Sequence, residues 1–361
     1  MKNKAKKPKK VRLLNALIAI LTTLSILCVM YIGVVWLNIP GISTLRDIWI
    51  ETAMTTNDHQ WLATGIFPMW LVDKVMSEQV REKVEVPLPS ETPENLVTPT
   101  PVPDILGQKN LKVGGKDPLG NKVLVNDIEE GILIVEVKGS SFSGHLALID
   151  DPSRVFVGTT NKKGVHGQVI CDIMDRYDAI LGVNASGFED AEGHGKGGVI
   201  NGLCYSEGKA WGKYNSSYSS LCFTTDNKFL VGDFGNWEKY NVRDGAQFYP
   251  VVISNGEVKV GKGYGLQPRT IIAQKENGVV MFLVIDGRAL HSTGATYLQC
   301  ADVLLKYGAV NAAACDGGSS SVIAYNDKVL NIPSTPMKDT GRYLPNAFLV
   351  RSKAANNVSK N

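Results

Sequence analysis

The feature that most constrains this chain is a long uncharged apolar stretch near its amino terminus. Residues 13–37 are mostly apolar, and a helix of that length crosses a hydrocarbon core of roughly 30 Å. Residues 1–12 are rich in lysine and contain no acid, so we expect them to form a basic cytoplasmic tail. The sequence therefore predicts a single-pass signal anchor in the cell membrane, with the rest of the chain extracellular. A cleaved signal peptide is the alternative, although its apolar core is usually shorter, roughly 7–15 residues.

Composition divides the rest of the chain into a juxtamembrane segment, a linker and one large domain. Residues 38–83 interleave tryptophans with charges, as segments at a membrane interface do. Residues 84–109 are rich in proline and should run extended as a spacer. The predicted domain covers residues 110–351, and residues 352–361 form a polar tail. The net charge of +3 is small, with its basic cluster at the amino terminus, which argues against a nucleic-acid partner.

The predicted domain has the pattern of an α+β fold, a single mixed, sheet-rich domain with a few helices. Short segments rich in valine, isoleucine and leucine alternate with glycine and Asn-Asp punctuation. Residues 165–177 and 295–307 have helical spacing, and the second stretch stops before Gly308. The predicted strands include residues 123–125, 132–137, 145–149, 179–184, 251–253, 270–273 and 279–285.

Two apolar runs end in the same way, with an aspartate followed by glycine. Asp286 ends the first run and Asp316 the second, with the helical stretch between them. A strand, helix and strand of this length is compatible with a parallel pair and a right-handed crossover. Parallel strands end at one edge of a sheet, where open α/β sheets tend to bind ligands. An Asp-Gly taken singly is more often only a turn, so the prediction depends on finding two.

The residues around these aspartates suit chemistry on a sugar phosphate. Two close carboxylates can cleave at an anomeric carbon, because one stays ionised while the other is held protonated as a general acid. Arg288 and Arg269 could hold a phosphate through paired N–H bonds. The glycines after Asp316 leave backbone N–H groups open to an anion and allow close approach of a substrate.

The ordered motifs of residues 110–351 resemble those of the phosphodiester glycosidase family. That family carries Asp-Gly-Arg, then Ser-x-Gly, a helix, Asp-Gly-Gly-x-Ser, and Arg-x-x-Pro-Asn before a final strand. Upstream, residues 182–188 look like its Asn-Gly-Gly-Phe-Phe turn, and residues 269–270 like its Arg-Thr pair. The resemblance implies catalytic roles for Asp286, Asp316 and Arg288, and substrate contacts from Arg269, Asn184, Ser292, Gly317, Gly318, Ser319, Ser320, Arg342 and Asn346.

The chain departs from the family pattern at three places. Gln299 stands where the family usually has a helical glutamate, and Ser319 where it has a third glycine. The Asn-Gly-Gly turn is loosened to Asn-Ala-Ser-Gly at residues 184–187. If the helical glutamate helps catalysis, Gln299 would weaken proton transfer and the activity could be altered or lost.

The resemblance implies hydrolysis of a sugar-1-phosphate phosphodiester of the N-acetylglucosamine-1-phosphodiester type. With the anchor, it leads us to expect a bacterial, membrane-anchored member that acts on a cell-envelope glycopolymer or in exopolysaccharide metabolism. One alternative is a non-catalytic glycan-binding or scaffold protein of the exopolysaccharide machinery, with Gln299 as its warning sign. A glycosyl-phosphate transferase is another, since no residue distinguishes water from a different acceptor.

Two further regions leave alternatives open. The loop of residues 187–198 would suit a divalent cation, a mobile lid or a solvated acidic segment, and no cofactor is certain. Cys204 and Cys222 lie in neighbouring strand-like segments and would permit a disulfide, or the cysteines remain thiols. The same region offers aromatic faces for sugar stacking, although such residues are more often core: Trp211, Tyr214, Tyr218 and Phe223.

Overall fold

The computed structural model describes residues 9–56, 59–79, 82–88, 105–106, 108, 110–190 and 195–358. The chain divides into two compact units, Met1–Ser77 and Glu78–Asn361. The first unit is helical, and α1 has a mean hydropathy of 2.5, which is compatible with a membrane anchor or a signal peptide. Its helices are α1 (Lys9–Trp36), α2 (Ile42–Met54), α3 (Trp61–Thr64) and α4 (Met69–Ser77).

The second unit confirms the sheet-rich α+β prediction. Its large sheet contains, in spatial order, β1 (Lys122–Asp127), β2 (Ile132–Lys138), β3 (Ser143–Ile149), β14 (Val280–Ile285), β13 (Arg269–Lys275), β15 (Ala309–Ala314), β11 (Val251–Ser254) and β12 (Glu257–Val258). A second sheet contains β7 (Lys209–Gly212), β6 (Leu203–Ser206), β10 (Val242–Phe248), β8 (Ser219–Thr224) and β9 (Phe229–Gly232). A third contains β17 (Lys328–Val329), β16 (Ile323–Tyr325), β5 (Ala179–Asn184), β18 (Asn346–Arg351) and β4 (Val155–Thr159). The helices are α5 (Ile170–Arg176), α6 (Tyr297–Lys306) and α7 (Lys353–Val358).

The predicted parallel pair is corrected by the strand order. β14 and β15 run in the same direction, but β13 lies between them and pairs antiparallel with both. Helix α6 therefore connects two strands that flank a third. Hydrophobic periodicity shows where a strand is but not which strand it pairs with, so the sequence could not reveal this insertion. The two strands still end at the same edge of the sheet.

β14 is buried on both of its faces, which explains its continuous apolar sequence. Phe282 and Val284 face a core shared by all three sheets, whereas Leu283 and Ile285 face a second core that includes α6. Burying an apolar side chain of this size contributes roughly 1.5–3 kcal/mol. The ends of β14 and β15 are thus held in place from both sides of the large sheet.

The beginning of the predicted linker packs against the domain. Val84 is buried in the shared core, and its backbone C=O accepts a hydrogen bond from the N–H of Asp233 at 2.6 Å. The hydroxyl of Tyr240 donates to the C=O of Val86 at 3.0 Å. A proline-rich composition predicts extended backbone, and extended backbone can pack on a sheet. The central part of the linker, residues 89–104, lies outside the described residues.

The cysteines are all thiols in this structure. β10 separates the strands that carry Cys204 and Cys222, and the two side chains belong to different buried clusters. Cys204 and Cys222 are therefore buried thiols and do not form a disulfide with each other.

Candidate active site at one edge of the large sheet

The ends of β14 and β15 bring the two aspartates to one edge of the large sheet. Ile285 pairs with Arg269, and Ala314 pairs with Ile271 on the same strand. Asp286 and Asp316 therefore follow the paired segments on either side of β13. Two strand spacings put their backbones roughly 10 Å apart, and Pro268, just before β13, lies between the loops that follow them.

Asp286 is buried and fully hydrogen-bonded. Its Oδ1 accepts from the backbone N–H of Ile332 at 3.1 Å, and its Oδ2 lies 3.1 Å from Nε2 of His291. His145 on β3 faces the same carboxylate. Burial lowers the pKa of His145, and the charges of Asp286 and Glu136 oppose that shift. Sequence reasoning missed His291, although an ionisable residue inside the Asp-Gly-Arg to Ser-x-Gly motif was an available signal.

Asp316 has a different environment. Burial raises the pKa of its carboxyl group from the ordinary 3.8 to about 6. A hydrogen bond from Ser320, the charge of Arg342 and the N–H of Gly317 oppose this shift, and Asp190 adds to it. A carboxyl group with such a pKa is partly protonated near neutral pH, which is what a general acid requires.

The glycines after Asp316 shape the loop and do not offer open N–H groups. The N–H of Gly317 bonds to the Asp316 carboxyl group, and the N–H of Gly318 donates to the C=O of Pro268 at 3.0 Å. A Cβ atom on Gly318 would lie 3.3 Å from Nη2 of Arg288. The expectation of an anion cradle is therefore corrected: these glycines let the Arg288 guanidinium approach the loop.

Arg342 ties three separate segments together beside Asp316. Its Nη1 donates to Oδ2 of Asp190 at 2.7 Å and to Oγ of Ser319 at 2.9 Å. Its guanidinium also lies 4.6 Å from the ring centroid of Phe188. Ser319, which replaces a family glycine, thus gives Arg342 an additional hydrogen-bond acceptor.

Arg288 begins a tight hairpin that projects from the end of β14. Ala289 and Ser292 pair through backbone hydrogen bonds of 3.0 and 3.1 Å. Arg288 adopts a φ of 57°, which is uncommon for a residue with a side chain, and its Nη2 donates to Oε1 of Gln267 at 2.7 Å. The residue is exposed, as a phosphate-binding arginine must be.

A group of three aromatic rings lies near Asp316, and only Tyr218 among them was predicted from the sequence as a face for sugar stacking. The ring centroids of Tyr218 and Tyr249 are 5.3 Å apart, and Phe248 stacks on Tyr249 at 5.3 Å. Burial raises the pKa of Tyr218, with further increases from Tyr249 and Asp316. Phe223, by contrast, is fully buried in the core and cannot stack on a sugar.

Arg269 is buried on the other side of the large sheet, where it supports the fold. Its guanidinium donates to the backbone C=O groups of Tyr264, Gly265 and Ala295 and lies 3.9 Å from the ring centroid of Tyr297. Because Tyr297 belongs to the core around α6, this arginine faces away from the shared core. Its environment favours a structural role over phosphate binding.

Three more of the predicted contact residues are buried braces. Asn184 donates to the C=O of Asp316 at 2.6 Å, and Asn346 bonds both the N–H and the hydroxyl of Ser186. Ser292 donates to the C=O of Asp286 at 2.6 Å. These side chains fix the backbone that carries the two aspartates, so they act on the site through its geometry.

Gln299 has a structural function at the start of α6. Its Oε1 accepts from the N–H of Thr296 at 2.9 Å, while the Thr296 hydroxyl accepts from the N–H of Gln299 at 3.2 Å. This reciprocal pair is a capping box, in which glutamate and glutamine are interchangeable. The replacement of the family glutamate therefore has an explanation that does not involve catalysis.

The acidic loop is described only in part. Glu192 and His194 belong to residues 191–194, which lie outside the described residues, whereas Asp190 pairs with Arg342. Across the described segments, no group of three or more histidine, cysteine, aspartate and glutamate side chains could hold a metal ion.

This edge of the sheet thus carries a hydrogen-bonded acid, an acid whose pKa is raised to about 6 and an exposed arginine. Residues 177–351, just under half of the chain, match the sequence profile of the phosphodiester glycosidase family. The match includes both aspartates and the Arg288 hairpin. Strands β1 to β4 lie outside it.

Three similar proteins are described below, and the first of them supports the fold. The catalytic domain of zebrafish N-acetylglucosamine-1-phosphodiester alpha-N-acetylglucosaminidase, auto-inhibited by its pro-peptide, has a TM-score of 0.51 and 17% identity, and the match covers 62% of this chain and 82% of that one. A hypothetical protein from Synechocystis has a TM-score of 0.46 and 17% identity, with coverage of 63% and 64%. The uncharacterized SPbeta prophage-derived protein YomE of Bacillus subtilis is 26% identical over 202 residues, 50% of this chain. The chain spans only 29% of that relative's length.

Proposed function

We propose that the domain hydrolyses a sugar-1-phosphate phosphodiester of the N-acetylglucosamine-1-phosphodiester type, at the bond between the anomeric carbon and the phosphate oxygen. The observation that carries this proposal is Asp316, whose pKa is raised to about 6 at the sheet edge that also presents Asp286 and Arg288. The match to the phosphodiester glycosidase family supports a hydrolytic reaction on a sugar phosphodiester.

In this reaction Asp316 acts as the general acid. Its proton passes to the departing phosphate oxygen, while the Arg288 guanidinium neutralises the phosphate charge. Ser320 bonds the Asp316 carboxyl group and sets its orientation, and Ser319 fixes Arg342 beside it. Electrostatic stabilisation of the leaving phosphate is expected to supply the largest part of the rate enhancement.

The aromatic group provides a surface for the sugar ring. Tyr249 is 37% exposed and stacks against Phe248, and Tyr218 is close enough to Asp316 for their charges to interact. Aromatic faces bind the apolar faces of sugars, and a tyrosine hydroxyl adds a polar contact at the ring edge. The sugar would therefore lie on Tyr218 and Tyr249 with its anomeric carbon towards the sheet edge.

The apolar helix supports a proposal for the location and the biological substrate. Used as a signal anchor, α1 would keep the domain on the outer side of the cell membrane, within reach of a cell-envelope glycopolymer. We propose exopolysaccharide metabolism as the setting. The capping box gives Gln299 a structural role, and the scaffold alternative is an outcome of the test below. The transferase alternative stays open, since the site would treat water and another hydroxyl acceptor alike.

Sugar release by the full-length chain in detergent tests the proposal. The substrates are nitrophenyl and UDP-linked N-acetylglucosamine phosphodiesters, and the variant is Asp316→Asn. We expect this variant to lower kcat by about 1,000-fold, within the range for loss of a general acid. Asp302→Asn, an exposed carboxylate on α6, is the matched control and should behave as wild type. Binding without turnover would support a scaffold, and a new sugar-phosphate conjugate would support a transferase.

A further inference from the structure

The hairpin that begins at Arg288 carries a histidine paired with Asp286. Nε2 of His291 lies 3.1 Å from Oδ2 of Asp286. The Asp286 side chain is 5% exposed, whereas the His291 side chain is 40% exposed. Of the two partners, only the histidine can therefore be reached by a ligand or by water.

The hydrogen bonds of Asp286 determine which imidazole nitrogen carries the proton. An ionised carboxylate only accepts hydrogen bonds, so with Asp286 ionised the proton lies on Nε2 of His291, which then donates to Oδ2. Nδ1 then keeps its lone pair. In the part of the chain that the structure describes, Nδ1 has no hydrogen-bond partner. A carboxylate that fixes the tautomer of an imidazole leaves the other nitrogen ready to accept a proton.

Asp286 itself is poorly placed to attack or to accept a proton. The Ile332 N–H occupies Oδ1 and His291 occupies Oδ2, and the side chain is almost entirely buried. A direct catalytic role would require a substrate atom to reach a side chain that is only 5% exposed and already accepts a hydrogen bond at each oxygen. The exposed histidine has no such restriction.

We propose that His291 is the proton acceptor that activates the attacking water, and that Asp286 is its positioning residue. This inference rests on the proposed hydrolysis. Water bonds to the anomeric carbon as the bond from that carbon to the phosphate oxygen breaks. The water proton passes to Nδ1 of His291, and the Asp316 proton passes to the phosphate oxygen. Exchange with solvent then returns both groups to their starting states.

The charged neighbours of this pair come from four elements. His145 on β3 faces Asp286, and Glu136 on β2 faces His145. Arg288 shares the hairpin with His291, and the Ile332 backbone approaches from the loop after β17. A variant of His145 or Glu136 would alter the pH dependence indirectly, so the test is made at His291.

Substitution of His291 by glutamine separates a catalytic role from a structural one. Glutamine can keep an N–H donor towards Asp286, but it has no basic nitrogen. In the full-length chain, we expect His291→Gln to lower kcat about 100-fold with KM within about two-fold of wild type. The matched control is His59→Gln, an exposed histidine in the first unit, which should leave kcat unchanged.

Chemical rescue gives a second measurement that a structural role would not affect. Added imidazole should restore part of the activity of His291→Ala and none of that of Asp316→Asn. Wild-type kcat in His291→Gln, or no rescue of a folded His291→Ala, would overturn the inference alone. Absence of sugar release by the wild-type chain would instead overturn the proposed function.

Discussion

The ends of β14 and β15 share a sequence pattern but differ in environment. At the end of β14, Asp286 is buried and both of its oxygens are hydrogen-bonded. At the end of β15, Asp316 interacts with Arg342 and Asp190, and burial raises its pKa to about 6. Hydrogen-bond partners hold the carboxyl group of Asp286, whereas desolvation raises the pKa of Asp316 towards neutral pH.

This difference shows that an Asp-Gly after an apolar strand does not by itself define a role. Donors around a carboxylate favour its ionised form, whereas burial without full compensation favours its protonated form. The side of β13 on which each strand lies decides which neighbours it meets. Asp286 interacts with His145 on β3 and with His291 on the hairpin. Asp316 lies beside the segments that Arg342 connects.

Among the variants that test this comparison, Asp286→Asn should have the largest effect, which is a loss of folding stability. In Asp286→Asn the amide oxygen can keep the Ile332 N–H while the NH₂ group faces Nε2 of His291, so two hydrogen bonds to a carboxylate become hydrogen bonds between neutral groups. The free energy of unfolding should fall by about 1–3 kcal/mol at neutral pH. Chemical denaturation followed by circular dichroism measures it, with Asp302→Asn as the control. A variant as stable as wild type would mean that the charge of Asp286 does not strengthen its hydrogen bonds.

Substitution of Gln299 by glutamate should have the smallest effect. It tests whether α6, the helix between β14 and β15, takes part in the chemistry. Gln299→Glu preserves the capping box, so unfolding free energy should stay within about 0.5 kcal/mol of wild type and kcat within about two-fold. Gln299→Ala removes one half of the box and should cost about 1 kcal/mol. A large gain in kcat for Gln299→Glu would show that α6 takes part in the chemistry.

The sequence predicted the features that depend on local pattern. Alternating apolar segments located β2, β3, β5 and β14, and the spacing before Gly308 located α6. The repeated Asp-Gly placed two acids at one sheet edge, because two strands of the same direction end together whether or not a third lies between them. The ordered motifs pointed to the family whose profile matches residues 177–351.

The features that sequence reasoning did not predict depend on contacts distant in the chain. Nothing near Arg269 in sequence indicates that three backbone C=O groups and Tyr297 surround its guanidinium. Helix α5 begins only at Ile170, later than the apolar spacing from residue 165 predicted. Tyr249 gains its importance from Tyr218, which lies on another segment. Burial and pairing of this kind are decided by tertiary packing.

The unfolding free energy of Asp316→Asn, compared with wild type at pH 7.5 and at pH 4, tests the central claim most directly. The raised pKa means that the folded state binds the Asp316 proton more tightly than the unfolded state, whose value is near 3.8. Wild type therefore gains stability as pH falls through about 6, and the gain is complete below the unfolded value. We predict that Asn stabilises the chain, relative to wild type, by about 2 kcal/mol more at pH 7.5 than at pH 4. If the difference in unfolding free energy between Asp316→Asn and wild type is equal at both pH values, or grows as pH falls, the pKa of Asp316 is not raised and the account is contradicted.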